Sequence, residues 1–440
     1  MSHQQEIRDP IHNFIRLNAE ERKVLDSVPF QRLRHIHQLA LTYLLYPGAT
    51  HKRFEHSLGV MELAGRVYDV VTDPDNLIDT SVRKLVPRKD RNDDLEYGYW
   101  RRVLRMAALC HDLGHLPFSH AAEKDLLPDG WNHELLTLEI IRSEGMRDIW
   151  DEIKINPDDV AKLAIGPENY KGKEYSDLEA ILSEIIVGEA FGVDRIDYLL
   201  RDSHHIGVAY GRFDHYRLID SLRILPRGND SQEPGLGVDE GGLHSAEALV
   251  LARYFMFTQV YCHHVRRIYD IHLKDFLSKW LPNGQFSTEL DEHLVMTDDV
   301  INVALLRSAN DAEFPGHDEA KRIVRRNHFR LLYQRNPTDL VKNQDACGAV
   351  YEAVSEIFGG DNVRFDSYRQ TGGGGLDFPV LGRDGRIESS LYMSRTLATV
   401  PVVAEDYVFI SSEIKEDAKR WLEKNRERII TSTREEDGES

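Results

Sequence analysis

Apolar side chains recur at intervals of three and four residues through roughly the first 280 positions, which is the period of an amphipathic α-helix. A representative stretch contains Leu58, Met61, Leu63, Ala64, Val67 and Val70. Beyond about residue 285, short alternating or β-branched runs at 362–368 and 399–411 are typical of strands, and a charged segment at 413–430 is helical in character. The pattern predicts a mainly α protein with a large helical core and a smaller α+β C-terminal lobe.

The same change of pattern divides the chain into three regions. We assign residues 1–285 to the helical region, 286–430 to the α+β lobe and 431–440 to a polar tail. Loops are expected at the charged stretch 87–94, at 226–242, which is rich in proline and glycine, and at the four glycines 372–375.

Composition narrows the classes of partner. The net charge is −19, from 55 basic and 74 acidic residues, so the surface repels a nucleic-acid backbone while leaving room for a local anion pocket. We find no apolar run of roughly 18 residues and no apolar leader, and expect neither a membrane span nor a secretory signal. The three scattered cysteines form no CxxC pair, which argues against disulfides and a cysteine zinc site. Together these features predict a cytoplasmic protein.

The twenty histidines include a cluster with metal-binding chemistry. An apolar helical segment runs into His111 and Asp112, and His115 follows four residues after His111, on the same face if the helix continues. Imidazole and carboxylate together suit a divalent transition metal. The His-Asp dipeptide alone also fits a capped, partly buried histidine, so the interpretation depends on further motifs.

Further motifs are present along the chain. They are Asp9-Pro-Ile-His12, Phe30-Gln-Arg-Leu-Arg34, Gln38-Leu39, Tyr46-Pro-Gly-Ala49, Arg53-Phe-Glu-His-Ser-Leu-Gly59, His111-Asp-Leu-Gly-His115, Pro117-Phe-Ser-His120, Trp131-Asn-His-Glu134, Gly192-Val-Asp194-Arg195 and Arg201-Asp-Ser-His-His205. Across about residues 5–275 the chain resembles the dNTP triphosphohydrolases of the HD superfamily. It lacks the sterile-alpha-motif domain of the vertebrate members, and we expect the architecture of the bacterial ones. Residues 1–285 would then be the HD-domain catalytic region.

The resemblance implies a metal site made of His56, His111, Asp112 and Asp194. Such a set leaves coordination positions for water and a phosphate oxygen. The expected cofactor is a divalent transition metal, with Fe, Mn, Zn, Ni and Co as candidates, and Mg²⁺ as an additional candidate bound with the triphosphate.

The resemblance also implies a catalytic relay beside the metal. His115 would act on the leaving oxygen, and Glu123 and His133 would tune it; Glu123 stands where the family has aspartate. His120 is a further catalytic candidate, and it equally fits a structural cap in its turn.

Substrate-binding roles follow from the same comparison. The implied residues are Gln38, Leu39, Arg53, Arg195, Tyr198, Asp202, Arg253 and Tyr261. Tyr198 would pack under the deoxyribose and exclude a 2′-hydroxyl, and Asp202 would bind the 3′-hydroxyl. Without the resemblance, Tyr198 also fits a core aromatic of an amphipathic helix. Phe257 and His264 replace a histidine and a lysine of the family, which affects the expected triphosphate affinity and nucleotide choice.

Asp26, Gln31 and Arg34 match family positions that bind a guanine nucleotide at a subunit contact. The resemblance therefore implies a guanine-nucleotide effector and a homo-oligomer, either a dimer or a tetramer. The alternative is a surface helix whose polar side chains are merely solvated.

The leading functional hypothesis is hydrolysis of a dNTP at the α-phosphate to deoxynucleoside and triphosphate. Two alternatives remain: an HD phosphohydrolase that acts on another nucleotide or phosphate ester, and a nucleotide-sensing regulator with the same fold. A regulator would be expected to have lost a metal ligand, and this chain retains all four.

Overall fold

The computed structural model describes residues 5–88, 94–118, 123–170, 174–227, 233–370 and 376–431. His120 lies outside the described residues. The α-helices, in chain order, are α1 (Ala19–Leu25), α2 (Val28–Arg32), α3 (Arg53–Val71), α4 (Thr80–Leu85), α5 (Asp94–Cys110), α6 (Glu123–Leu126), α7 (His133–Arg142), α8 (Glu144–Ile153), α9 (Pro157–Asn169), α10 (Asp177–Val187), α11 (Val193–Ile206), α12 (His215–Ser221), α13 (Leu243–Met256), α14 (His264–Trp280), α15 (Leu290–Val295), α16 (Asp298–Asn310), α17 (His317–Val324), α18 (Pro337–Leu340), α19 (Ala346–Phe358), α20 (Ser390–Met393), α21 (Arg395–Thr399) and α22 (Lys415–Thr431).

Three small sheets accompany the helices. The strands are β1 (Gln5–Asp9), β2 (Asn13–Leu17), β3 (Leu222–Pro226), β4 (Pro234–Asp239), β5 (Arg330–Gln334), β6 (Val363–Arg369), β7 (Pro379–Leu381), β8 (Ile387–Ser389) and β9 (Ala404–Ile410). They form an antiparallel β1–β2 hairpin, a sheet of order β3-β4-β7-β8 in which only β4 and β7 run parallel, and an antiparallel sheet of order β5-β9-β6.

The chain forms two compact units that alternate along the sequence. The first comprises Met1–Met256, Gln285–Ile301 and Gly374–Pro401, and the second comprises Phe257–Gly284, Asn302–Gly373 and Val402–Ser440. The linear division at residue 285 does not coincide with these units, because 257–284 already belongs to the second and two later segments return to the first.

In the first unit, helix α3 is buried along most of its length. Its buried side chains include the apolar Val60, Leu63 and Val67 and also the polar Arg53 and His56. The helix begins at Arg53, and Glu55 Oε1 accepts a hydrogen bond from the Lys52 amide at 2.7 Å, which satisfies one amide before the first turn. Burial of this helix therefore carries His56 into the core.

The second unit packs helices on its sheet. Val350 and Val354 of α19 and Leu422 of α22 lie in one buried cluster with Val363 and Val408 of the sheet. Among the described helices of the whole chain, none combines the length and hydropathy that crossing a bilayer requires.

The mainly α class with a smaller α+β C-terminal part is confirmed. The predicted loop 226–242 was wrong, because it contains β4, which pairs with β3. Leu236 and Val238 alternate with glycines at 235 and 237, and because glycine is typical of loops the segment lacks the composition of a strand. The predicted strand 399–411 is shorter, since helix α21 ends at Thr399 and β9 begins at Ala404.

Candidate metal centre

Four side chains from three segments converge inside the first unit. His56 lies on the first turn of α3, Asp194 on the first turn of α11, and His111 and Asp112 follow the end of α5. His56 Nε2 lies 3.0 Å from Asp194 Oδ1 and 3.8 Å from Asp112 Oδ2. His111 Nε2 lies 3.3 Å from Asp112 Oδ1 and 3.6 Å from Asp194 Oδ1. One ligand atom each of His56, His111 and Asp112 lies close enough to the others to share one ion, and Asp194 lies beside both imidazoles.

The backbone at His111 and Asp112 differs from the sequence-based expectation. Helix α5 ends at Cys110, so His111 and His115 do not share a helical face; His111 begins a turn over residues 111–114 and His115 follows it. The turn is held from α7, where the Thr137 hydroxyl accepts from the Gly114 amide at 2.9 Å and donates to the His111 carbonyl at 3.2 Å. A Cβ at Gly114 would overlap with the backbone of His133 and Thr137, so glycine permits this close approach.

The imidazoles of His56 and His111 have defined tautomers. His111 Nδ1 lies 2.8 Å from the Ala108 carbonyl and His56 Nδ1 lies 2.8 Å from Asp197 Oδ2. Because both acceptors need a proton on Nδ1, Nε2 is the ring nitrogen of each histidine that can bind a metal once it carries no proton. His111 Nε2 is buried and has no hydrogen-bond partner among the described residues. Two such nitrogens beside carboxylate oxygens form a donor set that fits a divalent metal ion.

The electrostatics of the cluster favour positive charge beside its carboxylates. Burial lowers the pKa of His56, yet hydrogen bonds and charges from Asp194 and Asp197 raise it to about 10. Burial raises the pKa of Asp112, but the charges of Arg53, His111 and His115 hold it well below its usual value. The pocket therefore keeps its carboxylates ionised, as metal binding requires.

A second cluster lies beside the first. His115 Nε2 lies 3.1 Å from Asp112 Oδ1, and the His115 ring stacks on His133 with centroids 3.9 Å apart. His133 Nδ1 lies 2.7 Å from Glu123 Oε1, which also accepts from the His133 amide at 2.8 Å. The structure thus brings together the three described members of the predicted relay.

The two stacked histidines have opposite pKa shifts. Burial, followed by the charges of Arg53 and His133, lowers the pKa of His115 well below its usual value. Burial also lowers the pKa of His133, but Glu123 and Glu134 raise it above its usual value. Such divergence within one pair is typical of acid–base sites, although ion-pair networks produce it as well.

The predicted phosphate-binding arginines have different surroundings. Arg53 is buried and its Nη1 donates to Asp112 Oδ2. Arg195 Nη1 donates to the carbonyls of Gly188 at 3.1 Å and of Glu189. Arg253 lies on the last turn of α13. Arg195 and Arg253 both lie near Tyr198, and their charges act to lower the pKa of its hydroxyl.

The predicted sugar-binding residues lie on α11, as their spacing indicates. Burial raises the pKa of Tyr198, which is half-buried at the surface of its helix. Asp202 is buried and its Oδ1 lies 2.7 Å from His51 Nε2, while the His51 ring stacks on His205. His51 had no assigned role in the sequence analysis, and its contact with Asp202 identifies it as part of this region.

The remaining predicted substrate residues belong to different units. Gln38 and Leu39 precede a 3₁₀ turn in the first unit, and Gln38 Oε1 is buried without a hydrogen-bond partner among the described residues. Tyr261 belongs to the second unit, at the end of a π-helical turn over Phe257–Tyr261.

The predicted effector residues lie at the surface near α2. Gln31 Oε1 accepts from Arg34 Nε at 2.8 Å, and the Arg34 guanidinium lies 3.5 Å from the centre of the Phe54 ring. Asp26 is exposed and accepts from Arg22 Nε at 2.5 Å. Gln31 and Arg34 are therefore adjacent, whereas the Asp26 carboxylate pairs within α1 and its cap.

Sequence reasoning missed a buried network behind the metal ligands. Asp197 accepts from His12, His56 and Arg201, and Arg201 also binds Asp9 at 2.8 Å. Burial raises the pKa of Asp197, but the charge of Arg201 and the hydrogen bonds hold it well below its usual value. The sequence signal for this network was the four-residue spacing of Asp197 and Arg201 on one helix, between the motifs that begin at Gly192 and at Arg201.

Comparison with known families agrees with this geometry. A model of the HD domain matches residues 53–202, and a model of the HD-associated region matches residues 213–353. The first match contains all four clustered metal-site residues. The chain belongs to the HD-domain family. Proteins of this family bind divalent metals, in agreement with the cluster of His56, His111 and Asp112.

Relatives of the chain include both named enzymes and uncharacterised proteins. Uncharacterized protein MJ1154 of Methanocaldococcus jannaschii is 32% identical over 338 residues, which are 76% of this chain and 60% of that protein. Uncharacterized protein YwfO of Bacillus subtilis is 34% identical over 284 residues, which are 63% of this chain and 56% of that protein. Human deoxynucleoside triphosphate triphosphohydrolase SAMHD1 is 28% identical over 373 residues, which are 76% of this chain and 56% of that protein.

A solved structure extends the similarity to almost the whole chain. The crystal structure of a hypothetical protein from Aquifex aeolicus matches with a TM-score of 0.77 and 31% identity, covering 95% of this chain and 100% of that one. By contrast, the chain spans 56% to 60% of the length of the three relatives above. Family membership is thus established, and the activity is argued from the site.

Proposed function

We propose that this protein hydrolyses deoxynucleoside triphosphates at the α-phosphate, giving a deoxynucleoside and inorganic triphosphate. The observation that carries the proposal is the pairing of two clusters: a His-His-Asp metal-type cluster in contact, through Asp112 and His115, with a histidine–histidine–glutamate relay. HD-domain relatives named deoxynucleoside triphosphate triphosphohydrolase support the choice of substrate.

His56, His111, Asp112 and Asp194 would hold the metal. The close grouping of the first three, with Asp194 Oδ1 beside both imidazoles, supports this assignment. The mixed donors suit Fe, Mn, Zn, Ni or Co, and Mg²⁺ would accompany the triphosphate. The bound ion would supply an activated water and neutralise charge on a phosphate oxygen. The hydrogen bonds that each Nδ1 donates, to Asp197 from His56 and to the Ala108 carbonyl from His111, keep both imidazoles oriented toward this position.

The relay would serve the leaving group. In the proposed reaction a water oxygen bonds to the α-phosphorus and loses one proton to solvent, while the bond from phosphorus to the 5′ oxygen breaks and that oxygen takes a proton from His115. Because the pKa of His115 is low in the free protein, the negative triphosphate would have to favour its protonated form, which His115 recovers from solvent after each turnover. His133, fixed by Glu123, stacks on His115 and holds its orientation. Arg53, Arg195 and Arg253 would balance the phosphate charge. His120 remains a proposed catalytic residue on sequence grounds.

Substrate choice would rest on α11 and its neighbours. Tyr198 would exclude a 2′-hydroxyl and Asp202, oriented by His51, would accept from the 3′-hydroxyl. Gln38, Leu39 and Tyr261 complete the proposed substrate-binding set. The unpartnered Gln38 Oε1 offers an acceptor of the kind that sugar and base recognition uses.

The test is a substrate panel on metal-stripped protein reloaded with one divalent metal at a time. Each dNTP, each NTP and a cyclic nucleotide are incubated and the products are separated by chromatography. We expect deoxynucleoside and triphosphate from dNTPs only. Release of pyrophosphate, or turnover restricted to another phosphate ester, would instead favour a different HD reaction.

Variants of the metal ligands give the matched comparison. Asp112→Ala or His111→Ala should abolish turnover and bound metal together, because an incomplete ligand set holds the ion poorly. Asp129→Ala, at an exposed position, is the control and should leave both unchanged. Full metal content and turnover in the Asp112 variant would show that the site is wrongly assigned.

A further inference from the structure

Asp197 is a fully buried carboxylate whose two oxygens are both occupied. Oδ2 accepts from His56 Nδ1 and from Arg201 Nε, each at 2.8 Å. Oδ1 accepts from His12 Nε2 at 2.6 Å and from Arg201 Nη2 at 3.0 Å. The side chains of Asp197, His12 and Arg201 are all 0% exposed. A charge this deep is stable only when it is paired and fully hydrogen-bonded.

The orientation of Asp197 is fixed from behind. Arg201 is one helical turn later on α11 and pairs at the same time with Asp9, through Nη1 at 2.8 Å and Nη2 at 3.4 Å. Asp9 is itself held as a turn acceptor for the His12 amide at 2.8 Å. The N-terminal hairpin and α11 are thus joined around one carboxylate that faces His56.

Helix α3 has a gap where this carboxylate approaches. A Cβ on Gly59 would overlap with Asp197 Oδ1 and would lie 2.5 Å from Arg201 Nη2. Gly59 lies three residues after His56, on the same face of the helix. Glycine at 59 is therefore required for Asp197 to reach the imidazole at hydrogen-bond distance.

We infer that Asp197 is the positioning residue of the metal site: it holds the proton of His56 on Nδ1 and presents Nε2 to the metal, and Gly59 makes room for it. This inference rests on the proposed metal site. An outer carboxylate of this kind fixes the tautomer and orientation of a metal-binding histidine, and its loss typically weakens metal affinity about 10- to 100-fold.

The competing explanation is that the network only stabilises the fold. A second buried ion pair provides a matched control for this explanation. Glu21 is buried and accepts two hydrogen bonds from Arg105, at 2.6 and 3.1 Å. Among the described residues, Glu21 has no contact with a proposed metal ligand. Asp197→Asn and Glu21→Gln make the same change from carboxylate to amide in a buried arginine pair. Only Asp197→Asn also replaces the carboxylate that accepts the His56 Nδ1 hydrogen bond with an amide.

The experiment titrates metal-stripped wild type, Asp197→Asn, Gly59→Ala and Glu21→Gln with Co²⁺ alone. The visible absorption of bound Co²⁺ reports affinity and ligand set, and thermal unfolding without metal reports stability. We expect Co²⁺ affinity to fall about 10- to 100-fold in Asp197→Asn and Gly59→Ala. Glu21→Gln should be destabilised yet bind Co²⁺ within about threefold of wild type, the change expected for a site with no link to the metal.

Three outcomes overturn the inference. Wild-type affinity in both Asp197→Asn and Gly59→Ala would remove Asp197 from the metal site and leave the proposed function intact. An equal loss of affinity in Glu21→Gln would reduce the network to a structural role. Failure of the wild-type protein to bind Co²⁺ would contradict the proposed metal site itself.

Discussion

Tyr198, a single side chain on α11, could control the choice between deoxyribose and ribose nucleotides. It lies half-buried one turn after Asp194 and near the charges of Arg195 and Arg253. A ring at this position would exclude a 2′-hydroxyl by volume and not by hydrogen bonding, so removal of the ring and removal of its hydroxyl should have different effects.

We therefore expect Tyr198→Ala to lower the ratio of dNTP to NTP turnover by about 10- to 100-fold. The upper limit follows because an apolar wall rejects an added hydroxyl by at most about 100-fold. Tyr198→Phe retains the ring and should keep the wild-type ratio. The measurement is kcat/KM for matched pairs of dNTP and NTP. A ratio that is unchanged in Tyr198→Ala would exclude Tyr198 from the sugar site.

At the residue scale, the sequence indicated several of the side chains that lie together but not all of their contacts. His56, His111, Asp112 and Asp194 were predicted because their order along the chain matches a family pattern. The four-residue spacing of Asp197 and Arg201 indicates an ion pair. The contacts of Asp197 with His12 and His56 could not be predicted, because they form only when distant segments are brought together.

Among the elements, α2 links the surface to the segment that contains His115. Arg32 is buried at its end and donates to the carbonyls of His115 at 2.9 Å, Leu113 at 3.5 Å and Met296 at 2.9 Å. Burial lowers the pKa of Arg32 to about 10, against the attraction of Asp298. The arginine thus fixes the backbone on which His115 lies.

Arg32→Ala should lower the free energy of unfolding by about 3 kcal/mol, because buried carbonyls lose their donor. Turnover should fall as well, since the His115 turn loses its support. Denaturant unfolding measures the first effect. Arg22→Ala, which removes an exposed ion pair with Asp26, should cost under about 1 kcal/mol. Equal effects of the two substitutions would contradict this role of Arg32.

Helix α14 in the second unit contains a histidine that should control acid stability. His272 is buried, and its Nε2 accepts from the Phe329 amide at 3.1 Å. Burial, together with the charges of Arg322 and Arg364, lowers the pKa of His272 from 6.5 to about 2. As pH falls below 6.5 the unfolded chain binds a proton that the folded chain does not, so stability is lost.

His272→Gln retains an acceptor for Phe329 and removes this titration. Between pH 6.5 and 5.5 the free energy of unfolding of the wild type should fall about 1 kcal/mol more than that of the variant. Denaturant unfolding at both pH values gives the comparison. Parallel losses would indicate that His272 does not control this range.

Element boundaries were the least predictable level of the fold. The end of α5 at Cys110 depends on hydrogen bonds from Thr137, which lies far away in sequence. Strand β4 alternates leucine and valine with glycine, and its pairing with β3 supplies the signal that its composition lacks. Long helices such as α3 were predictable because their apolar period is self-contained.

At the scale of the whole molecule, the sequence predicted the mainly α class but not the alternation of the two units. Segments 285–301 and 374–401 return to the first unit through contacts that no local pattern encodes. One such contact is the hydrogen bond from the Phe118 amide to Asp298 at 2.8 Å.

Assembly gives a further prediction. We propose that Asp26, Gln31 and Arg34 bind a guanine nucleotide at a contact between subunits, in a dimer or tetramer. Since Gln31 and Arg34 bond each other here, the nucleotide must exchange that contact for its own. A ligand that binds only the assembled state stabilises it. GTP should therefore raise the sedimentation coefficient and the turnover of dTTP, and Arg34→Ala should abolish both responses.

A strict monomer, or an oligomer indifferent to guanine nucleotides in both assays, would contradict this regulatory proposal. The catalytic proposal would stand, because the metal-type cluster and the relay both lie within one unit of one chain.

The central claim is metal-dependent cleavage of a dNTP between the α-phosphorus and the 5′ oxygen. The most direct test is phosphorus NMR of the reaction in ¹⁸O-labelled water with the metal-loaded protein. We expect intact inorganic triphosphate as the phosphorus-containing product, with the label on its terminal phosphate. Pyrophosphate, orthophosphate or an unlabelled triphosphate would contradict it.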